Sequence, residues 1–151
     1  MFRVWDTNEE KMFYNNFVVS STGQAYYIIN RDNDEIIAQK INGTVMKKTN
    51  KRDNQGKRIY VGDILEWTNS QYDYDMFCPF SLNEKERREF FATKHKGIVK
   101  ENSSSWLRYK VDNYSLQELL EYHDNVKIIG NIFENPELLK EVKDDKYNQQ
   151  T

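Results

Sequence analysis

One cysteine, Cys78, stands in 151 residues, so the chain can form no internal disulfide. Neither histidine, His95 or His123, shares the close ligand spacing of a structural zinc site with it or with the other. The six glycines, at 23, 43, 56, 62, 97 and 130, are isolated, which excludes a glycine-rich phosphate loop, a dinucleotide fingerprint and a nucleophile elbow. No window reaches the roughly 18 uninterrupted apolar residues of a membrane span. The opening Met-Phe-Arg-Val-Trp-Asp lacks the apolar run of a secretory signal, so the expected compartment is a reducing cytoplasm, with no membrane partner.

What the chain does have is aromatic and β-branched residues in short runs. Aromatics make up 14% of it, a composition that favours strands over helices. The expected fold class is mainly β (α+β). Phe2 to Trp5, Phe13 to Val19, Ala25 to Ile29 and Glu35 to Val45 read as a β meander, and 1–45 as an N-terminal lobe. The separators Asp6-Thr7-Asn8, Ser20-Ser21-Thr22-Gly23 and Arg31-Asp32-Asn33-Asp34 are of the kind that reverses a chain cheaply.

The strongest turn signal is Asp53-Asn54-Gln55-Gly56, where Asp can accept from following amides and Gly can take a positive φ. Val61-Gly62-Asp63 and the apolar Ile64-Leu65-Glu66-Trp67 follow, a Gly-Asp step of the sort that opens SH3-like barrels. Gly97 to Lys100, Trp106 to Val111 and Val126 to Ile129 supply further strands, giving an SH3-like barrel portion over 46–133. A helical insertion at about 68–96 interrupts it. Ser81-Leu82-Asn83-Glu84 and Ser115-Leu116-Gln117-Glu118 fit capping boxes; Asn135-Pro136 should open a last helix within the C-terminal segment 134–151. Trp5, Tyr60, Ile64, Trp67, Val99, Trp106, Ile129 and Leu138 are the expected core, and Asp63 is expected to accept from a loop amide.

Read together, Phe2-Arg3-Val4-Trp5-Asp6, Asp53, Gly56, Ile59-Tyr60-Val61-Gly62-Asp63-Ile64, Gly97, Val99 and Gly130-Asn131-Ile132-Phe133-Glu134-Asn135-Pro136-Glu137-Leu138 resemble the YopX family of phage and prophage proteins. The resemblance implies a β-rich fold with an SH3-like barrel portion, a phage or prophage origin in a bacterial host and homo-oligomer formation. It implies no catalytic residue. At Thr49-Asn50-Lys51 this chain departs from the Thr-Gly-Leu of the family pattern.

Net charge is -2, but the distribution is uneven. Lys47, Lys48, Lys51, Arg52, Lys57 and Arg58 surround the single acid Asp53, and these six form the candidate surface for nucleic acid or a protein partner. A second basic group is Arg87, Arg88, Lys94, Lys96 and Lys100, while Glu134, Glu137, Glu141, Asp144 and Asp145 make the end acidic. In the insertion Tyr72, Tyr74, Phe77 and Phe80 beside Lys85, Arg87 and Arg88 could stack bases, but the interleaved Glu84, Glu86 and Glu89 favour a solvated helix face. Glu9-Glu10-Lys11 and Glu141-Val142-Lys143 carry the acid-x-Lys spacing of some nucleases without the rigid sheet context such a site needs. The reading is a non-enzymatic, oligomeric binding or assembly module without cofactor or metal; the alternative is a nucleic-acid-binding accessory protein working through the six cations.

Overall fold

The computed structural model describes residues 1–30, 36–77, 81–102 and 108–140. The fold is mainly β with short helices. The turn expected at 31–34, together with Cys78, Phe80, Trp106, Glu141 and the polar tail, lies outside the described residues. The chain divides into two compact units, Met1–Lys48 and Thr49–Thr151.

In the first unit β1 (Phe2–Asp6) runs antiparallel to β2 (Lys11–Phe13). Asp6 closes the intervening turn by accepting from the amides of Asn8 and Glu9 at 2.8 and 3.1 Å, and it also accepts from the Tyr27 hydroxyl. Burial alone would raise the Asp6 carboxyl, but the Tyr27 hydroxyl and the two amides outweigh it and hold the group below its ordinary range. β3 (Phe17–Val19), β4 (Ala25–Asn30) and β5 (Ile36–Lys40) form an antiparallel sheet. The single strand expected from Phe13 to Val19 is broken because Asn16 takes a φ of 63°, a left-handed conformation that asparagine tolerates. The strand expected from Glu35 to Val45 is likewise two. Ile41 and Asn42 leave the extended path, and β6 (Gly43–Arg52) then returns beside β1. Val4, Ala25 and Ile41 form the core of this unit, with Phe17, Val19, Tyr27 and Val45 packed on them.

The second unit is organised around β8 (Asp63–Thr68), flanked antiparallel by β9 (Lys94–Ile98) and β13 (Lys127–Asn131). β7 (Arg58–Tyr60) precedes it, and β10 (Lys100–Glu101), β11 (Tyr109–Val111) and β12 (Tyr114–Ser115) make a small antiparallel sheet. Ile59, Leu65, Trp67, Val99, Val111, Leu116, Leu119 and Val126 are buried in one cluster, each aliphatic contributing roughly 1.5–3 kcal/mol on transfer from water. Of the expected core, Ile64, Trp67 and Val99 are buried, whereas Trp5, Tyr60, Ile129 and Leu138 are half-buried.

Helix α1 (Gln71–Phe77) was not anticipated, yet Ser70-Gln71-Tyr72-Asp73 is a capping box in which the Ser70 amide donates to Asp73 and the Asp73 amide to the Ser70 hydroxyl. Helix α2 (Glu84–Ala92) starts later than the serine signal suggested. Asn83, an equally good cap, accepts the Glu86 amide at 2.8 Å. Helix α3 (Leu116–Tyr122) begins where expected, with the Ser115 hydroxyl accepting the Glu118 amide.

The end of β13 is locked by its own side chains. Asn131 accepts from the amides of Phe133 and Glu134 through one oxygen and donates its amide nitrogen to the Glu134 carboxylate at 2.9 Å. Asn135 does not cap the following turn with its side chain as expected; that oxygen turns back to the Asn131 amide at 3.1 Å. Gly130 is required by this closure, because a Cβ there would lie 2.4 Å from the Asn135 oxygen and 2.9 Å from its Cβ. Gly130→Ala should therefore destabilise the protein by about 2 kcal/mol, the typical scale of overpacking, visible as a lower thermal midpoint. A midpoint equal to the wild type would show that the closure is dispensable.

Candidate functional site: a basic hairpin on a buried carboxylate

The six cations lie on and beside the hairpin formed by β6 and β7. Lys47 and Lys48 end the first unit, while Lys51, Arg52, Lys57 and Arg58 flank the turn within the second and are exposed. The turn itself is built on Asp53, which is almost fully buried. One carboxylate oxygen accepts from the amides of Gln55 and Lys57 at 2.9 and 2.8 Å; the other accepts from the Ile128 amide of β13 at 3.0 Å. The Asp53 amide donates to the Lys57 carbonyl, and the Asn54 amide to Val126. Gly56 closes the turn with a φ of 83°, its carbonyl accepting from the Arg52 guanidinium at 2.8 Å.

Asp53 is thus consumed by backbone donors, which leaves the cations around it without an acid inside the turn. Thr49, fully buried, anchors the other end by donating its hydroxyl to the Ile59 carbonyl at 2.6 Å. Asp63 accepts the Tyr60 amide at 2.7 Å, the loop bond read from the sequence. The Gly62 amide and the Asp63 carbonyl bond Val99, and the Gly62 carbonyl receives Ile132. These motif residues are framework: each spends its polar groups on the backbone around β8.

Two members of the second basic group are engaged by neighbouring side chains. Arg87 lies over the rings of Tyr74 and Phe91, and Lys94 reaches Glu66 at 3.9 Å. Tyr74 meets Phe90 and Phe91 with ring centroids 5.7 Å apart, and the Asn69 side chain donates to the Phe90 carbonyl, so the insertion's aromatics join α1 to α2. Glu9 and Glu10 sit in the turn after β1, where Glu10 has a φ of 53°.

A polar centre that the sequence reading missed links α1 to α3. His123 is 1% exposed, with Nδ1 2.9 Å from the Leu119 carbonyl and Nε2 2.8 Å from Asp73. Both nitrogens face acceptors, an arrangement that the doubly protonated ring satisfies in full. Asp73 also accepts from the Ser70 amide and the Tyr114 hydroxyl, at 2.7 and 3.0 Å. Burial would raise the Asp73 carboxyl, but the Ser70 amide, His123 and Tyr114 together hold it below its usual value. Burial and the hydrogen bond to Asp73 push the Tyr114 hydroxyl up to about 12. Stacked Tyr72 and Tyr122, 4.1 Å between centroids, add a further contact between the helices. Enclosed in this way, the Asp73–His123 pair ties elements together and presents no free nitrogen. His95 stacks on Trp67 and bonds Asn69 at 2.7 Å.

Among the described residues no group of three or more His, Cys, Asp and Glu side chains is placed to hold a metal, and no helix is long and apolar enough to cross a membrane. Fold and site together define a class: a mainly β protein of two units whose most regular sequence motifs are hydrogen-bonded framework beneath a basic hairpin. The model of the YopX protein family matches residues 1–140, and the chain belongs to that family. Two solved structures share the fold. The protein EF1440 from Enterococcus faecalis is 21% identical with a TM-score of 0.54, the match covering 91% of this chain and 96% of that one. Protein yopX from Bacillus subtilis is 19% identical with a TM-score of 0.50, covering 91% and 95%. No curated protein matches the chain.

Like the Asp6–Tyr27 pair, the Asp73 centre contributes to the pH dependence of stability. The carboxyl's lowered value means a contribution that is complete above the unfolded carboxylate range, near pH 4, and lost as pH falls through the folded value. Tyr114, raised to about 12, contributes fully below the unfolded pKa of about 10 and loses that contribution between there and 12. Denaturant unfolding across pH should therefore show an alkaline loss that Tyr114→Phe reduces, the part due to Tyr27, raised by burial and Asp6, remaining; a variant with the same alkaline slope as wild type would remove Tyr114 from the network.

Proposed function

We propose that this protein is a non-enzymatic binding module of a lysogenised bacterial host's cytoplasm, whose basic hairpin engages the phosphate backbone of nucleic acid. The observation that carries the reading is the Asp53 lock. The carboxylate in the middle of this cationic loop is buried and bonded to three backbone amides, and it pairs with none of the four cations of the turn, which leaves them to an anionic partner. Lys51, Arg52, Lys57 and Arg58 are then displayed on a turn fixed to β13, so few degrees of freedom are lost on binding. The arrangement of β8 between β9 and β13 over one core supports reading the second unit as an SH3-like barrel portion, a scaffold whose loops bind.

A second reading, assembly into a homo-oligomer, is favoured by the outer face of the β3–β4–β5 sheet. There Val18 and Ile28 are 46% and 42% exposed, and the register places Tyr26 and Ala38 on the same face. Light scattering decides this part: unchanged mass on replacing Val18 and Ile28 with Asp would remove it.

Phosphate contacts by the four hairpin cations predict an affinity that falls about 50-fold for a single strand and about 150-fold for a duplex between 50 and 200 mM salt, with little sequence preference. In fluorescence anisotropy, replacing Arg52, Lys57 and Arg58 with Ala should weaken binding at low salt and shallow the salt dependence. Equal affinity in wild type and variant would contradict the hairpin as the site.

A further inference from the structure

Beside the hairpin, within the second unit, lies an open groove of about 400 Å³. Lys51 of β6 stands on one wall and Arg108, just before β11, on another. Its floor includes Leu116, which is buried, and Tyr109, which packs on the core, so the apolar surface is held rigidly. Asn50 and Gln117 supply amide groups at the rim, that of Gln117 also reaching Glu121 at 3.4 Å.

The adjoining small sheet carries an arrangement that stability does not explain. Lys100 and Lys110 are directly opposed across β10 and β11, and both are exposed. Like charges so placed oppose strand pairing by several tenths of a kcal/mol. The next pair, Lys110 with Ser115, puts both lysines on the face to which Ser115 belongs, and Ser115 lines the groove. Glu101, paired with Tyr109, shares the face of that groove-lining ring. Lys51 and Arg108 therefore line the groove together with the Tyr109 ring and the amides of Asn50 and Gln117. That combination matches a phosphate joined to a planar heterocycle: charge for the one, apolar surface and amides for the other. The volume is within the range of small-ligand pockets and admits one nucleotide.

We propose that this groove is a nucleotide site, with Arg108 and Lys51 on the phosphate and Tyr109, Leu116, Asn50 and Gln117 around the base. Resting on the nucleic-acid reading of the hairpin, it deepens that reading to single strands, because a duplex does not offer a free base. A free mononucleotide carries the same chemistry, and the test separates the two sources.

The test is fluorescence anisotropy on the full chain with a labelled ten-residue oligothymidylate, a labelled duplex and a labelled adenosine monophosphate. The proteins are wild type, Arg108→Ala with Gln117→Ala for the groove, and Arg52→Ala with Lys57→Ala for the hairpin. These side chains are exposed, and near-ultraviolet circular dichroism checks that each variant keeps its fold. The groove variant should bind the single strand about tenfold more weakly, the Arg108 phosphate contact and the Gln117 base contact being lost, while duplex affinity changes less. Binding of the mononucleotide that the groove variant alone loses, with neither nucleic acid bound, would keep the groove and overturn the hairpin reading. Single-strand affinity unchanged in the groove variant but lost in the hairpin variant would overturn the groove and keep the hairpin. No binding of any probe to wild type at low salt would overturn both.

Discussion

The buried carboxylate of Asp53 is the constraint on which the second unit's surface depends. Three backbone amides converge on it, two from its own turn and one from β13, a strand 75 residues further along the chain. Hydrogen bonds to an ionised acceptor contribute about 1.5–3 kcal/mol each, and burial makes their loss costlier still. One side chain thereby shapes the turn and fixes its register against the sheet, its oxygens bonded to amides and to none of the surrounding cations.

The same economy recurs at the other motifs. Gly62 and Asp63 turn the chain into β8 while bonding Val99 and Ile132, and Asn131 with Asn135 folds the exit of β13 upon itself. Residue types that elsewhere act in catalysis are used here to satisfy amides, as buried polar groups must be. Even the Asp73–His123 pair follows this pattern, holding α1 to α3 with both ring nitrogens occupied. Function, on this account, falls to the exposed residues that the framework presents.

Much of the framework was legible because its signals are local. Asp53 to Gly56 reads as a turn, Ser115 as a cap and the apolar run after Asp63 as a strand, and each is so. Broken strands were not legible, since nothing in the apolar pattern shows that Asn16 reverses its φ or that the chain leaves the extended path at Ile41 and Asn42. Helix α1 was signalled by Ser70 and Asp73 but hidden by the aromatic residues between, which also suit strands. The core's polar members depend on tertiary partners: Asp73 and His123 are 50 residues apart. So does the groove, whose walls come from three separate segments.

The most direct measurement is amide hydrogen exchange of Gln55, Lys57 and Ile128 in the intact protein. If Asp53 locks the hairpin to the sheet, these amides exchange as slowly as those of β8, through opening of the whole unit. Exchange at the rate of an open surface turn, with β8 still protected, would contradict the account, because the cations would then be carried by a loose loop and not by the fold.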